Sequence, residues 1–208
     1  MNTNRVVESC LAVALFVGYL GLWRLKRWRD IRRHGIDPEV LARASTPMQR
    51  FFASLVRFIT ILVVAVLSLH SFAPETWVPL VRLATLDSPI VDWVGFVVGV
   101  VGLGLCGIAQ ATMGSSWRVG IDHDRETKLV TRGLYQWIRN PTYLGLHLLN
   151  LGLWLIWPTT LVAAYAVLFF VVMDIQVRCE EEFLMGVHGE EFTAYRSRTR
   201  RYFPWFRF

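Results

Sequence analysis

Charged residues are scarce in this sequence. Asp, Glu, Lys and Arg together make up 18% of the 208 residues, whereas hydrophobic types make up 54%. Soluble domains usually carry about a quarter charged residues, so the composition argues against an ordinary water-surrounded domain and favours a membrane protein. The sequence also lacks internal repeats, low-complexity tracts and long polar linkers. These features predict one compact, membrane-embedded unit.

Cysteine is also rare. Cys10, Cys106 and Cys179 lie far apart, without a CxxC motif or a Cys/His spacing. Two of the three fall inside apolar runs, where a thiol behaves as a small hydrophobic group. The cysteines therefore predict neither a disulfide framework nor a metal site.

Acidic residues are outnumbered by basic ones, 16 against 22, which gives a net charge of +6. The basic residues lie between apolar runs, where they set membrane topology and contact anionic lipid head groups. This distribution favours a lipid bilayer as the partner and argues against nucleic acid.

Five apolar runs predict an all-α integral membrane bundle of about five transmembrane helices. Three runs are about 20 residues long, as a spanning helix requires, and the last two are joined so closely that they predict an antiparallel hairpin of helices four and five. Capping residues followed by proline mark several starts. The runs are Val6–Trp23, Phe51–Phe72, Ile90–Thr112, Pro141–Trp157 and Thr159–Val177.

Lysine and arginine counts predict the orientation. The segments 24–50, 113–142 and 178–208 hold eight, five and six of these residues, whereas 73–89 holds one. By the positive-inside rule the basic segments are cytoplasmic, which puts the N-terminus outside and the C-terminus inside.

Two predicted cytoplasmic stretches are rich in glycine, tyrosine, arginine and glutamate at fixed offsets. The first runs from Lys128 to Gly145, and the second runs from Glu180 to Tyr195 and closes on Arg200–Pro204. The residues of the pattern are Leu129, Val130, Thr131, Gly133, Tyr135, Arg139, Pro141, Tyr143, Gly145, Glu180, Glu181, Leu184, Gly189, Tyr195 and Pro204.

This pattern resembles the isoprenylcysteine carboxyl methyltransferases and their bacterial relatives, within the wider group that includes phospholipid methyltransferases. The resemblance covers about the C-terminal half of the chain. It implies one methyltransferase domain over residues 1–208, in which 1–112 supply three membrane helices and a basic cytoplasmic loop, and 113–208 form the cofactor-binding, catalytic half. It also implies S-adenosylmethionine bound in a cytoplasmic pocket, which the C-terminal segment covers. The likeness to the bacterial relatives implies a place in the bacterial inner membrane.

The resemblance implies two sets of site residues and no metal, and polar residues in the last two predicted helices form a third set. The catalytic candidates are Arg139, Asn140 and Glu181. The candidates for binding the cofactor are Lys128, Leu129, Val130, Gly133, Tyr135, Arg139, Asn140, Pro141, Tyr143, Leu144, Gly145, Glu180 and Glu181. The candidates for contacting the acceptor are His147, Asp174 and Gln176.

The polar candidates have a chemistry that suits a sulfonium donor carrying an ammonium and a carboxylate. Glu180 or Glu181 can accept hydrogen bonds from the ammonium or the ribose hydroxyls, and Arg139 can pair with the carboxylate. A carboxylate acceptor is already ionised, so methyl transfer to it needs alignment and exclusion of water rather than a general base.

The remaining candidates offer a surface for the cofactor. Gly133 and Gly145 permit close approach of a ligand to the backbone. Tyr135 and Tyr143 present aromatic faces to an adenine or a sulfonium.

Simpler structural interpretations stand beside these. Asn140 followed by Pro141 is also an ordinary helix start, with asparagine as the N-cap. The glutamates 180–182 also fit a solvated charge run that ends an apolar helix at the membrane surface. His147 and Asn150, inside the fourth helix, either contact a substrate or satisfy a neighbouring helix.

The acceptor is left open between a prenylated cysteine carboxylate, a phospholipid amine, and a small thiol or acid. Gln176 stands where the prenylcysteine enzymes typically carry arginine, which argues against a free carboxylate. Two other functions are alternatives: an NADPH-dependent reductase of the sterol type, and a non-catalytic membrane protein or transporter. The absence of a repeat argues against a transporter.

Overall fold

The described part of the chain folds into five α-helices. The structure is a computed structural model that describes residues 3–43, 46–73, 77–121 and 128–203. Within them the α-helices are α1 (Thr3–His34), α2 (Pro47–Phe72), α3 (Pro89–Met113), α4 (Pro141–Ile156) and α5 (Thr160–Arg198). Isolated bridges occur in these residues, but no β-sheet does. The all-α prediction is confirmed.

Helix starts follow the predicted pairs of a capping residue and proline. The Thr46 hydroxyl accepts a hydrogen bond from the backbone N–H of Gln49, and Ser88 accepts one from Ile90, each at 3.3 Å. Proline occupies the first turn of α2, α3 and α4. These caps satisfy backbone N–H groups that otherwise lack a partner at a helix start.

Four of the five helices are long and apolar enough to cross a membrane. They are α1, α2, α3 together with the short turn after it, and α5. The 16 residues of α4 correspond to about 24 Å, somewhat less than the hydrocarbon thickness. The chain is a multi-pass integral membrane protein.

The backbones of α3 and α4 touch through paired glycines. A Cβ atom added to Gly102 would come within 2.5 Å of the Gly145 carbonyl oxygen, and one added to Gly95 would come within 2.7 Å of the Gly152 carbonyl oxygen. Small residues of this kind allow membrane helices to approach closely and gain van der Waals contact. Gly145, predicted to approach a cofactor, instead lies at this helix contact.

The last helix is much longer than its apolar run. The expectation that glutamates 180–182 end an apolar helix is wrong, because α5 continues to Arg198. A kink at Gly189, with φ 49° and ψ −115°, separates the terminal residues 190–198 from the rest of the helix. Phe192 and Tyr195 are buried in this terminal part.

Arg82 connects α1, α3 and α4 at the end of the bundle where α1 begins. Its guanidinium contacts Glu8 of α1 at 3.0 Å, Asp92 of α3 at 2.6 Å and the carbonyl oxygen of Ile156 in α4 at 2.8 Å. We call this the distal end. The opposite end, where α1 and α3 finish and α4 begins, is called the site end.

Candidate functional site

A cavity of about 330 Å³ lies inside the helix bundle. All five helices contribute to its wall, as do the connecting segments at the site end. The cavity is polar at the site end and apolar towards the distal end. Its polar candidates from the sequence motifs are Lys128, Tyr135, Arg139, Asn140, Tyr143, Gln176, Glu180 and Glu181, together with the backbone neighbours Leu129 and Val130.

Glu181 holds the two motif stretches together. Its carboxylate accepts hydrogen bonds from Arg139 Nε at 3.0 Å, from Asn140 Nδ2 at 2.9 Å and from Arg201 Nη2 at 2.8 Å. The Glu181 side chain is only 7% exposed. A buried carboxylate needs such partners, because desolvation disfavours an unpaired charge. Two arginines therefore neutralise Glu181.

The segment after α5 lies along the residues that precede α4. The backbone N–H of Arg139 donates to the Arg200 carbonyl at 2.7 Å, and the N–H of Arg200 donates to the Trp137 carbonyl at 3.2 Å. The Tyr195 hydroxyl donates to the Tyr135 carbonyl at 2.7 Å. The chain after the Gly189 kink thus covers the site end. Pro204, the last residue of the motif, lies outside the described residues.

The side chains of Arg139 and Asn140 are largely occupied by this arrangement. Besides Glu181, Arg139 donates to the carbonyl oxygen of Thr199 at 2.7 Å. Asn140 stands at the N-cap position of α4, but its side chain makes no capping hydrogen bond and donates to Glu181 instead. The predicted helix start is therefore confirmed, with Asn140 as the N-cap residue and Pro141 in the first turn, but without a side-chain capping bond.

Glu180 has a different environment from Glu181. One of its carboxylate oxygens accepts hydrogen bonds from the Tyr143 hydroxyl at 2.6 Å and from Gln176 Nε2 at 2.9 Å. Both donors are neutral, and no lysine or arginine in the described ranges pairs with Glu180. Because Glu180 also lines the cavity, it leaves one uncompensated carboxylate facing the space where a ligand would lie.

Two groups outside the membrane helices show how the site end affects proton affinity. The hydrogen bond to Glu181 raises the pKa of the Arg201 guanidinium. Burial raises the pKa of Tyr135 above its usual range, so the hydroxyl stays protonated. The Tyr135 hydroxyl is therefore a neutral part of the cavity wall at physiological pH.

Four predicted cofactor residues lie away from the cavity lining. Gly133 has φ 62° and sits against Thr112, so its lack of a side chain serves a backbone turn. Pro141 is fully buried at the first turn of α4. Leu144 packs with the buried pair Val177 and Tyr202, while Gly145 faces α3.

Two predicted acceptor residues also lie off the cavity. The His147 ring packs against Phe170 and Tyr202, with centroids 4.7 and 5.2 Å away. Asp174 accepts hydrogen bonds from Arg178 at 2.7 Å and from the Tyr202 hydroxyl at 3.0 Å. Both residues therefore contact Tyr202, in the chain that follows the Gly189 kink and covers the site end. A role in acceptor binding stays a prediction.

The motifs did not indicate the part of the wall that comes from α1, α2 and α3. Phe52, Val56 and Ile59 of α2 line the apolar part of the cavity, and Tyr19 of α1 also faces it. Gln110 of α3 lines the cavity as well and is 2% exposed. Gln110 could have been found from the sequence, because it is a polar residue inside an apolar run. Such residues in membrane helices usually have a partner or a function.

Parts of this sequence are similar to known proteins. Residues 91–191 match the phospholipid methyltransferase family. The nickel-cobalt-cadmium resistance protein NccN of Alcaligenes xylosoxydans xylosoxydans is 26% identical over 147 residues, which are 70% of this chain and 61% of that protein. The cobalt-zinc-cadmium resistance protein CzcN of Cupriavidus metallidurans is 35% identical over 104 residues, which are 49% of this chain and 48% of that protein.

The chain therefore spans about half to three fifths of the length of these relatives. Their names refer to metals, yet the described residues contain no group of three or more His, Cys, Asp or Glu side chains arranged to hold an ion.

A solved structure extends the comparison to the fold. The eukaryotic intramembrane Ras methyltransferase ICMT, an isoprenylcysteine carboxyl methyltransferase, matches with a TM-score of 0.54 and 17% sequence identity. The match covers 94% of this chain and 68% of that protein. These findings confirm the resemblance seen in the sequence: residues 91–191 match the phospholipid methyltransferase family, and the fold is that of the isoprenylcysteine carboxyl methyltransferases.

Proposed function

We propose that the chain is an S-adenosylmethionine-dependent methyltransferase that acts on a lipophilic acceptor. The observation that carries the proposal is the uncompensated carboxylate of Glu180 at the polar end of an otherwise apolar cavity. A cationic donor suits the polar end, and an acyl or isoprenoid chain suits the apolar part. The family match and the shared fold support the same reaction class.

The residues of the site end fit the charges of the donor. Glu180 has no cation of its own, so it suits the ammonium or the sulfonium. Lys128 also lines this end and suits the donor's carboxylate. Arg139 was the sequence-based candidate for that carboxylate, but its bonds to Glu181 and Thr199 make it chiefly a support of the wall.

When bound, S-adenosylmethionine supplies an electrophilic methyl group on a positively charged sulfur. The chain's own contribution is to position the reacting molecules and to enclose the site. Tyr143 and Gln176 hold the Glu180 carboxylate in place, and the Glu181 contacts fix the cover formed by the chain after Gly189. An enclosed site excludes water from the acceptor and holds the reacting groups at close range.

The site end is assigned to the cytoplasm. The donor is polar and is reached from water, and the segments at this end carry most of the lysine and arginine residues. An acceptor with a long apolar chain then reaches the cavity from the bilayer. In this arrangement α1 and α2 contribute mainly the wall around the acceptor chain.

A binding titration with the purified, detergent-solubilised protein tests the proposal. S-adenosylhomocysteine should bind and NADPH should not. Glu180→Gln should weaken binding of S-adenosylhomocysteine or S-adenosylmethionine about ten- to a hundredfold, since a charged hydrogen-bond partner contributes about 1.5–3 kcal/mol. Glu182→Gln is the matched control, because Glu182 lies two residues further along the same helix and is exposed.

The two ligands also distinguish which charge Glu180 contacts. A larger loss for S-adenosylmethionine indicates the sulfonium, because the homocysteine form has a neutral sulfur. Equal losses indicate the ammonium, which both molecules carry. Unchanged affinity for both ligands in Glu180→Gln would refute the assignment, and binding of NADPH alone would favour a reductase.

A further inference from the structure

Asn150 places a polar atom deep in the apolar part of the cavity. The residue lies on α4, is 8% exposed and lines the cavity. Its side-chain nitrogen donates to the carbonyl oxygen of Leu146 in the same helix at 2.9 Å. This bond fixes the orientation of the amide. If the amide were flipped, its oxygen would face the Leu146 carbonyl oxygen, and two acceptors cannot form a hydrogen bond. The Asn150 Oδ1 atom is therefore the one left for a molecule in the cavity.

The depth of Asn150 follows from the helix geometry. It lies seven residues beyond Tyr143, whose hydroxyl contacts Glu180, and a helix rises 1.5 Å per residue. Asn150 is thus about 10 Å from the level of the Tyr143–Glu180 contact. Its neighbours in the wall include Leu146, Leu153 and Met173, so the polar atom is an exception in this region.

Tyr165 of α5 is a second polar group in the same region. It lines the cavity and is 6% exposed, and its ring packs against Phe169. Its hydroxyl forms no hydrogen bond with any residue that the structure describes. The Asn150 Oδ1 atom and the Tyr165 hydroxyl, on facing helices, therefore have no hydrogen-bond partner among the described residues. An all-hydrocarbon chain could offer them none.

We propose that Asn150 is a specificity-determining residue that accepts a hydrogen bond from a hydroxyl or amide N–H carried on the acceptor's chain, about 10 Å from the level of the Glu180 carboxylate. The inference rests on the proposed function, because it takes the apolar part of the cavity as the place of the acceptor chain. It narrows the acceptor class to lipids with a hydrogen-bond donor part-way along the chain. A plain isoprenoid chain lacks such a group.

A matched pair of amphiphiles tests the inference without the methyl donor. One is octadecylamine, and the other carries in addition a chain hydroxyl about 10 Å from the nitrogen. The amine suits the Glu180 carboxylate, so the pair differs only in the group that Asn150 would contact. Binding is measured by equilibrium dialysis of the labelled compounds with the full chain in lipid nanodiscs.

The wild-type chain should bind the hydroxylated compound about five- to tenfold more tightly, as expected for one net hydrogen bond. Asn150→Leu should abolish this preference. Thr60→Val is the matched control, because Thr60 also lines the cavity but its hydroxyl already donates to the Val56 carbonyl at 2.8 Å. It should keep the preference.

Several results overturn the inference. They are equal binding of the two compounds by the wild-type chain, a preference that survives in Asn150→Leu, and binding of neither compound. The wild-type comparison needs no variant, so a poorly folded Asn150→Leu leaves the inference open to refutation. If the wild-type chain prefers the hydroxylated compound but does not bind S-adenosylhomocysteine, the proposed function alone is refuted.

Discussion

Replacing Glu181 with alanine removes the group on which the site-end contacts converge. Arg139, Asn140 and Arg201 would all lose their shared acceptor, and the two arginines would be left close together. The side chains of Arg139 and Arg201 are 10% and 18% exposed, so water screens them little. Breaking a buried ion pair from one side costs about 3–5 kcal/mol.

This loss should appear as a lower melting temperature. For chains of this size 1 kcal/mol corresponds to roughly 2–4 °C, so Glu181→Ala should lower Tm by about 6–20 °C. Tryptophan fluorescence during a thermal ramp in mild detergent measures the change. Glu182→Ala is the control, because its side chain is exposed and next in sequence. A Tm for Glu181→Ala equal to that of Glu182→Ala would refute the idea that these contacts hold the cover in place.

Three further predictions concern packing, backbone conformation and topology. Gly145→Ala should lower the yield of folded protein, because its Cβ would lie 2.6 Å from a carbonyl oxygen of α3, whereas Gly104→Ala meets nothing within 4 Å and should be tolerated in the same solubility assay. Gly189→Ala should lower the melting temperature, since a side chain at φ 49° costs about 1–3 kcal/mol; an unchanged value would mean that the kink relaxes. Reporter enzymes fused after Arg33 and after Leu83 should report opposite sides of the membrane, with Arg33 cytoplasmic, and the same side for both would contradict the assigned orientation.

Hydropathy and capping patterns were sufficient to predict the helices. Apolar length gives a reliable signal for membrane helices because every backbone polar group must be satisfied inside the segment. The starts at Pro47, Pro89 and Pro141 followed from proline's suitability for the first helical turn. The extensions of α1 beyond Trp23 to His34 and of α5 to Arg198 were missed, because hydropathy reports where a helix leaves the lipid and not where it ends.

The different surroundings of Glu180 and Glu181 could not be predicted from the motif. Adjacent residues on a helix point about 100° apart, so one glutamate faces the arginines while its neighbour faces Tyr143 and Gln176. Which of the two faces the arginines depends on how α5 is rotated against α4. That rotation is set by tertiary packing, which a sequence motif does not contain.

The glycines of the motif show the same limitation. Their place in a motif typical of a cofactor site suggested approach by a ligand. In the structure, Gly145 allows close approach by α3, and Gly133 permits a turn with positive φ. Both uses require a small residue, so the sequence alone cannot separate them. The identity of the opposing group becomes visible only once the helices are placed.

The two glutamates divide the motif into a part that holds the site and a part that faces the ligand. Glu181 is neutralised by Arg139 and Arg201, so its removal should act on the fold first and on ligand affinity as a consequence. Glu180 has only neutral donors, so Glu180→Gln relieves a half-buried, unpaired charge and should leave the melting temperature unchanged or raise it. The two substitutions should therefore have opposite signatures when Tm and S-adenosylhomocysteine affinity are measured together. A Glu180→Gln variant that melts as early as Glu181→Ala would show that the charge of Glu180 is used within the fold and is not available to a ligand.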